Sequence, residues 1–317
     1  MASKAPMNVK HNSENVFCLV LTKTRLYQGL ALIQSLNKVM GEDYCIFIHC
    51  IDHESFTFFK KNKPKNCHVV PEKKFPKEIL LLRKERQIHE YCWTMKPVLC
   101  EYILKKYRNV KRVTYLDSDL YFWENPRQIF ENQPDCSVLL SIEEKYLPNL
   151  NTAVLRNRIK MTGLYNSGFI SFKQDEMGLK AVKWWKEKCL ETCKISTKEG
   201  LFGDQKYLDE LPALFQKVCA IKTAGVNVGP WNYLKYQFST HNDMIFIDHH
   251  LLIFYHFSGI RVTAKDNIQS VYQANWNLPL VYELYKKALN VVVDEVEKMD
   301  PSFNGFAGET DLQKYWN

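Results

Sequence analysis

Apolar positions in this chain follow two rhythms, and their order predicts the architecture. Val16 to Leu21 is an unbroken apolar run, the pattern of a strand covered on both faces of a parallel sheet. The polar stretch Thr22-Lys23-Thr24 follows. From Tyr27 to Met40 the residues Leu30, Ile33, Leu36 and Val39 then recur at helical spacing. Tyr44 to Ile51 predicts a second buried strand. Residues 52–65 predict a short helix with Phe56, Phe58 and Phe59 inward, and Cys67 to Val70 a third strand. This β-α-β-α-β order predicts an open α/β sheet, mixed but mostly parallel, flanked by helices, with ligands at the carboxyl ends of its strands. Thr22, Asp52 and the pair Asp117/Asp119 fall at such ends.

Further along, residues 79–107 read as helical, with Pro97 breaking or restarting the helix. In that reading Trp93-Thr94-Met95-Lys96-Pro97 opens a second helix and Lys96 lies near its N-terminus, where phosphate is readily met. Val113 to Leu116 and Val138 to Ile142 read as strands, and the weak periodicity of Glu143 to Arg158 as a mobile loop. Tyr165 to Phe172 predicts a tight polar turn leading into an alternating strand, and Gly178 to Cys193 an amphipathic helix. Gly203-Asp204-Gln205 opens a short helix for which Asp204 suits the N-cap. Leu252 to Gly259 is a last strand ending in His256. Leu278 to Lys298 is an amphipathic C-terminal helix, and Pro301 to Asn317 reads as a loose tail.

Composition narrows the class of ligand. The 317 residues allow one large α/β domain or two small ones, and a net charge of +8 favours anionic ligands or surfaces. Lys60, Lys61, Lys63 and Lys65, then Lys73, Lys74 and Lys77, are the densest basic clusters, suited to a solvated loop or to peripheral contact with an anionic membrane face. The basic residues do not gather into a stripe interleaved with aromatics, which argues against nucleic-acid binding. Gly225-Val226-Asn227-Val228-Gly229 has neither the dinucleotide-binding nor the P-loop spacing. Ten cysteines include no Cys-x-x-Cys, and three of them (Cys18, Cys45, Cys50) lie in apolar strands. They read as reduced thiols of a cytosolic chain. No signal-peptide core is legible near Met1, and no run reaches the ~18 apolar residues of a membrane span.

The chemistry concentrates at Val113-Thr114-Tyr115-Leu116-Asp117-Ser118-Asp119. Residues i and i+2 of a strand share a side, so Asp117 and Asp119 at the edge of a buried strand can converge on a hard divalent cation, Mn²⁺ or Mg²⁺, of the kind that also holds phosphates. The competing reading is a solvated Asp-Ser-Asp turn. His256 either completes that metal site or is a structural histidine near a strand end.

Four motifs now stand in a fixed order: Tyr115-Leu116-Asp117-Ser118-Asp119, Tyr165-Asn166-Ser167-Gly168-Phe169, Gly203-Asp204-Gln205, and His256-Phe257-Ser258-Gly259. From about Val16 to Arg261 the chain resembles a GT-A fold glycosyltransferase, most closely glycosyltransferase family 8 with its galactosyl-, glucosyl- and glycogenin-type enzymes. The resemblance implies a nucleotide-diphospho-sugar transferase fold, expected over residues 16–265; residues 1–15 read as a flexible terminus and 266–317 as a C-terminal helical extension packed on the same domain. It implies Mn²⁺ or Mg²⁺ held by Asp117, Asp119 and His256. It places Leu21, Thr22 and Tyr27 at the uridine, Lys96, Ser118, Gly259 and Arg261 at the donor, and Asn166 and Ser167 at the donor sugar. Asp204 and Gln205, with Asn166, then lie near the anomeric carbon. The family continues its His-x-x-Gly turn with Lys-Pro-Trp, whereas this chain has Ile260-Arg261-Val262, so Arg261 or Lys265 takes the lysine's place at phosphate. The expected reaction is sugar transfer from a nucleotide sugar, UDP-linked first of all, to a glycan, lipid-linked or protein acceptor. Asp204 serves as base if the reaction inverts; Gln205 or Asn166 supports the sugar if it retains, the slightly favoured course. A sugar-nucleotide pyrophosphorylase is the rival of the same fold class, and Thr22-Lys23-Thr24-Arg25 lacks the glycine-rich loop it needs. The remaining rivals are a non-catalytic nucleotide- or sugar-binding protein and an interaction module.

Overall fold

The computed structural model describes residues 16–149, 151–271 and 278–312. The terminus expected to be flexible over 1–15 and the last five residues of the tail lie outside them. In chain order, β1 (Val16–Leu21), α1 (Leu26–Met40), β2 (Cys45–Cys50), α2 (His53–Lys61) and β3 (Cys67–Val69) follow as the apolar pattern predicts. Next come α3 (Lys77–Glu85), α4 (Ile88–Lys106), β4 (Arg112–Leu116), β5 (Leu120–Phe122), α5 (Arg127–Glu131), β6 (Val138–Ile142), α6 (Thr152–Thr162), β7 (Tyr165–Lys173) and α7 (Glu176–Glu191). The chain continues through β8 (Ile195–Ser196), β9 (Leu201–Phe202), α8 (Leu211–Leu214), β10 (Val218–Ala220), β11 (Phe238–His241), β12 (Met244–Ile247) and β13 (His250–Leu251). It ends with β14 (Phe254–His256), β15 (Ile260–Ala264), β16 (Asn267–Ser270) and α9 (Val281–Met299).

Seven strands form the central sheet in the order β10-β6-β7-β4-β1-β2-β3. All neighbours are parallel except β7, which runs antiparallel to both β4 and β6. The sheet is covered on both faces, so its strands read as continuous apolar runs. On β1, Phe17, Leu19 and Leu21 face a core shared with α1 and α9, while Val16, Cys18 and Val20 face a core shared with α4 and α7. The β15–β16 hairpin spans the expected boundary at residue 265. The lysine clusters from Lys60 to Lys77 are exposed around α2 and the loops flanking β3.

Four expectations are corrected here. Helix α4 runs through Pro97, because a capping box starts it at Gln87: the Gln87 side chain accepts from the backbone of Glu90, and Glu90 accepts from Gln87 N–H at 3.1 Å. Packing of Tyr91, Met95, Leu99 and Ile103 against the sheet outweighs the hydrogen bond the proline removes. Lys96 is therefore mid-helix. The stretch from Glu143 to Arg158 is not a loop throughout: the Asn151 side chain caps α6 by accepting from Ala153 N–H at 2.7 Å. Helix α6 buries no residue, and so its sequence shows little periodicity. The tail is not loose through residue 312: Ala307 N–H donates to Val262 O at 2.8 Å, and Phe303 and Phe306 pack on Tyr27.

Finally, Cys136 and Cys219 form a disulfide. They lie 83 residues apart, and only the parallel pairing of β6 with β10 brings them together. The other eight cysteines are free thiols. The uniformly reduced reading, and the support it lent to a reducing compartment, therefore fall. Closing a loop of this length corresponds to about 4–5 kcal/mol in the chain-entropy account. Replacing both residues by alanine is expected to lower stability by up to that amount, and excess dithiothreitol to lower the melting temperature of the native protein but not of the double variant. Calorimetry with and without reductant checks both.

His49 on β2 provides a pH-dependent element of stability. It is fully buried against Phe75, and its Nδ1 is 3.0 Å from Val70 O. Burial pushes its pKa down from 6.5 to about 4, with the Val70 hydrogen bond opposing and Arg83 adding a little to the depression. Above pH 6.5 neither folded nor unfolded chain holds this proton. Between 6.5 and 4 the unfolded chain binds a proton that the folded chain refuses, so stability falls as the solution is acidified, by about 3 kcal/mol at most. Urea melts are expected to show the wild type losing stability relative to His49→Leu as pH falls from 6.5 toward 4, the difference between the two being constant above pH 6.5.

Candidate active site

The cleft lies at the carboxyl ends of β1, β4 and β6, has a volume of ≈ 1140 Å³, and receives Asp117, Ser118, Asp119, Lys96, Asn166, Ser167, Asp204, Gln205 and His256. Asp117 and Asp119 do not alternate along a strand as expected. They occupy the turn between β4 and β5, closed by Leu120 N–H donating to Asp117 O at 3.2 Å. Antiparallel pairing of β5 with β14 places His256 opposite Leu120, and Phe257 N–H donates to Asp119 O at 2.8 Å. The result is a cluster of two carboxylate oxygens and one ring nitrogen, all within 4.8 Å of one another. His256 Nε2 lies 3.1 Å from Asp119 and 3.8 Å from Asp117. Burial disfavours the His256 cation, but Asp119 and then Asp117 outweigh it and raise its pKa. Burial likewise works against the charged form of Asp119, while His256, Arg25 and Arg261 hold that carboxyl well below the usual range. Two hard oxygens and an imidazole suit Mn²⁺ or Mg²⁺ with room left for substrate oxygens. The space for His256 exists because residue 168 is glycine: a Cβ there would come within 2.4 Å of His256 Cε1. Trp231 meets the His256 ring edge-on at 5.2 Å.

Beneath the cluster lies a buried ion-pair network. Lys96 Nζ is 3.0 Å from Asp117, 3.3 Å from Asp204 and 3.1 Å from Ser167 Oγ. Burial disfavours the Lys96 cation, yet Asp117 and Asp204 together raise its pKa, so it stays charged. Burial raises Asp204, with Lys96 opposing. Asp204 is thus no helix cap: its side chain meets Lys96, and its carbonyl accepts from Trp185 Nε1–H at 3.0 Å. Gln205 is held rigidly, donating to Glu143 at 2.7 Å and to Thr162 O at 3.1 Å, and accepting from Asn166 Nδ2 at 3.3 Å. Asn166 in turn accepts from Gly168 N–H at 2.9 Å.

Other expected site residues are distributed differently. Thr22 and Gly259 line the cleft. Arg261 lines it too, its Nε–H donating to Asp311 O at 2.9 Å. Leu21 and Tyr27 instead face the hydrophobic core, because they fall on the α1-facing side of β1 and α1. Lys265 is ion-paired to Asp294 on α9, at the surface and outside the cleft lining, so of the two basic candidates Arg261 is the one in the cleft. Sequence reasoning missed Glu143, whose carboxyl burial raises despite its pairing with Lys145 at 3.1 Å. Its position directly after β6, at a strand's carboxyl end, was the available signal. Arg25 and Trp231 carried no comparable signal.

The sheet order with β7 reversed, and the carboxylate turn after β4, define a GT-A nucleotide-diphospho-sugar transferase fold. The galactosyltransferase LgtC, solved with donor and acceptor sugar analogs, shares that fold at a TM-score of 0.53 and 13% identity, covering 93% of this chain and 98% of its own. An active-site mutant of LgtC superposes at 0.55 with 12% identity, covering 88% and 95%. The chain belongs to the nucleotide-diphospho-sugar transferase family, whose model matches residues 45–256. Among relatives, the uncharacterized protein YfnF of Bacillus subtilis (strain 168) is 45% identical over 94% of this chain and 99% of its own length. The uncharacterized protein YfnD of the same strain is 28% identical over 92% and 94%. The expected fold class and glycosyltransferase type therefore stand. Among the described residues no helix is long and apolar enough to cross a membrane.

Proposed function

We propose that this protein transfers a sugar from a nucleotide-diphospho-sugar, UDP-linked as the first choice, to a hydroxyl of a glycan, lipid-linked or protein acceptor. The observation that carries this reading is the convergence of Asp117, Asp119 and His256 on one point at the carboxyl edge of the sheet. These three would hold Mn²⁺ or Mg²⁺, which when bound neutralises charge on the departing diphosphate. Arg261 and Arg25, near enough to Asp119 to depress its pKa, add fixed positive charge on the same side. Lys96 holds the Asp117 carboxylate in place through its 3.0 Å contact.

Retention is the stereochemical course we favour. An inverting reaction needs a carboxylate free to take the acceptor proton. Asp204 is ion-paired with Lys96, and Glu143 is ion-paired with Lys145 and hydrogen-bonded by Gln205. Gln205 and Asn166 offer amide groups locked in position, suited to supporting positive charge on the sugar as the leaving group departs.

Purified protein is to be incubated with a panel of nucleotide sugars in Mn²⁺, Mg²⁺ or EDTA. Release of UDP from one donor, lost in EDTA, is the expected result. No release from any donor, together with no thermal shift by UDP and Mn²⁺, would overturn the reading. Binding of UDP without turnover would favour a non-catalytic binding protein.

A further inference from the structure

The C-terminal segment after α9 returns across the molecule to the mouth of the cleft. Phe303 packs between Tyr27 (6.2 Å) and Phe58 (5.1 Å), and Phe306 lies 5.2 Å from Tyr27. Gly305 approaches the loop after β1 so closely that a Cβ would lie 2.6 Å from Lys23 O. Ala307 N–H donates to Val262 O at 2.8 Å, pinning the segment to β15. Residues 308–311 then close a turn: Asp311 N–H donates to Gly308 O at 3.0 Å, and Gly308 N–H donates to Asp311 Oδ2 at 3.0 Å. From this turn the Asp311 carbonyl accepts from Arg261 Nε–H at 2.9 Å. Asp311 lines the cleft, and its Oδ1 accepts from Thr24 Oγ1 at 3.5 Å.

We propose that residues 303–312 are a wall of the donor site, and that the Asp311 carboxylate accepts a hydrogen bond from the nucleoside of the donor while its carbonyl fixes Arg261. The inference rests on the nucleotide-sugar reading above. A carboxylate accepts hydrogen bonds and repels phosphate, so Asp311 cannot face the diphosphate. Arg261 lines the same cleft as the metal cluster and is tied to this turn through the Asp311 carbonyl. The diphosphate is therefore assigned to the metal cluster and Arg261, and the nucleoside to the Asp311 end of the cleft, beside the loop after β1. A nucleoside offers two kinds of donor to a carboxylate: the ribose hydroxyls and a base N–H.

The test is calorimetric titration of the full chain in MnCl2 with UDP, CDP, GDP and ADP, followed by the 2′-deoxy, 3′-deoxy and base N-methyl forms of whichever binds. Wild type is expected to bind one of them, and Asp311→Ala to bind it about tenfold more weakly, as loss of a charge-assisted hydrogen bond implies. One modified nucleotide, the one lacking the hydroxyl or N–H that Asp311 holds, is expected to bind wild type and Asp311→Ala alike, and this separates ribose from base. Asp311→Asn, which keeps an acceptor oxygen for the Gly308 turn, is expected to fall between them with an unchanged melting temperature. Equal affinity of wild type and both variants for the parent nucleotide would overturn the proposal. A uniform loss across parent and all modified forms would also overturn it, because it marks a merely structural role. If wild type binds none of the four nucleotides, the donor reading itself fails and this inference with it.

Discussion

Asp117→Ala and Asp119→Ala are each expected to reduce kcat/KM for donor cleavage at least about a thousandfold, roughly 4 kcal/mol of transition-state stabilisation, while the chain stays folded. Both carboxylates sit in the turn between β4 and β5, where the backbone bonds of Asp117 to Gly168 and of Asp119 to Phe257 are made by main-chain atoms and survive truncation. Their side chains meet His256 and Lys96, so what truncation removes is the ligand set. Steady-state assay of UDP release, paired with circular dichroism and thermal melts, separates loss of chemistry from loss of fold. Activity within tenfold of wild type for both variants would leave the metal reading without support. His256→Ala is expected to follow the same pattern with a smaller loss, one ligand of three being neutral when it coordinates.

Lys96→Met is expected to destabilise the protein, by about 3–5 kcal/mol, as well as inactivate it. Lys96 is 3% exposed and Asp204 2% exposed, so removing the cation strands a buried carboxylate next to Asp117. Burial already raises the Asp204 pKa with Lys96 present, and loss of Lys96 would raise it further. The double variant Lys96→Met/Asp204→Asn is therefore expected to recover part of the lost stability, with a coupling energy of about 1–3 kcal/mol, and to recover no activity. Urea denaturation of the wild type, two single variants and double variant closes the cycle. Additive effects would mean that the two side chains do not depend on one another.

Particular residues show where sequence reasoning succeeds. Val16 to Leu21 and Cys45 to Cys50 are apolar at every position because both faces of the sheet are covered, so the central strands were legible without any contact information. Asp117, Asp119, Asn166, Ser167, Asp204, Gln205, His256 and Arg261 were likewise legible as an ordered set, and the structure brings all eight to one cleft.

Local patterning misled where packing competes with propensity. Pro97 should break a helix, but a capping box ten residues earlier and a buried face hold α4 together across it. The family resemblance placed Tyr27 at the uridine, whereas its phase on α1 turns it toward Phe303 and Phe306. The Cys136–Cys219 disulfide and the Arg261–Asp311 contact join segments 83 and 50 residues apart, separations that carry no periodic signal.

The sequence by itself determined the layered α/β class and the strand-end placement of the acidic pair, because these follow from burial periodicity and residue chemistry, while the other members of the polar set were marked by the family resemblance of its ordered motifs. Tertiary structure decided the rest. Pairing of β5 with β14 set His256 against Asp119, the depth of α4 turned Lys96 into a buried counter-ion, and the returning C-terminal segment placed Asp311 at the cleft. Each of these is a contact between distant parts of the chain, fixed by how whole elements pack and not by any local preference of the residues that meet.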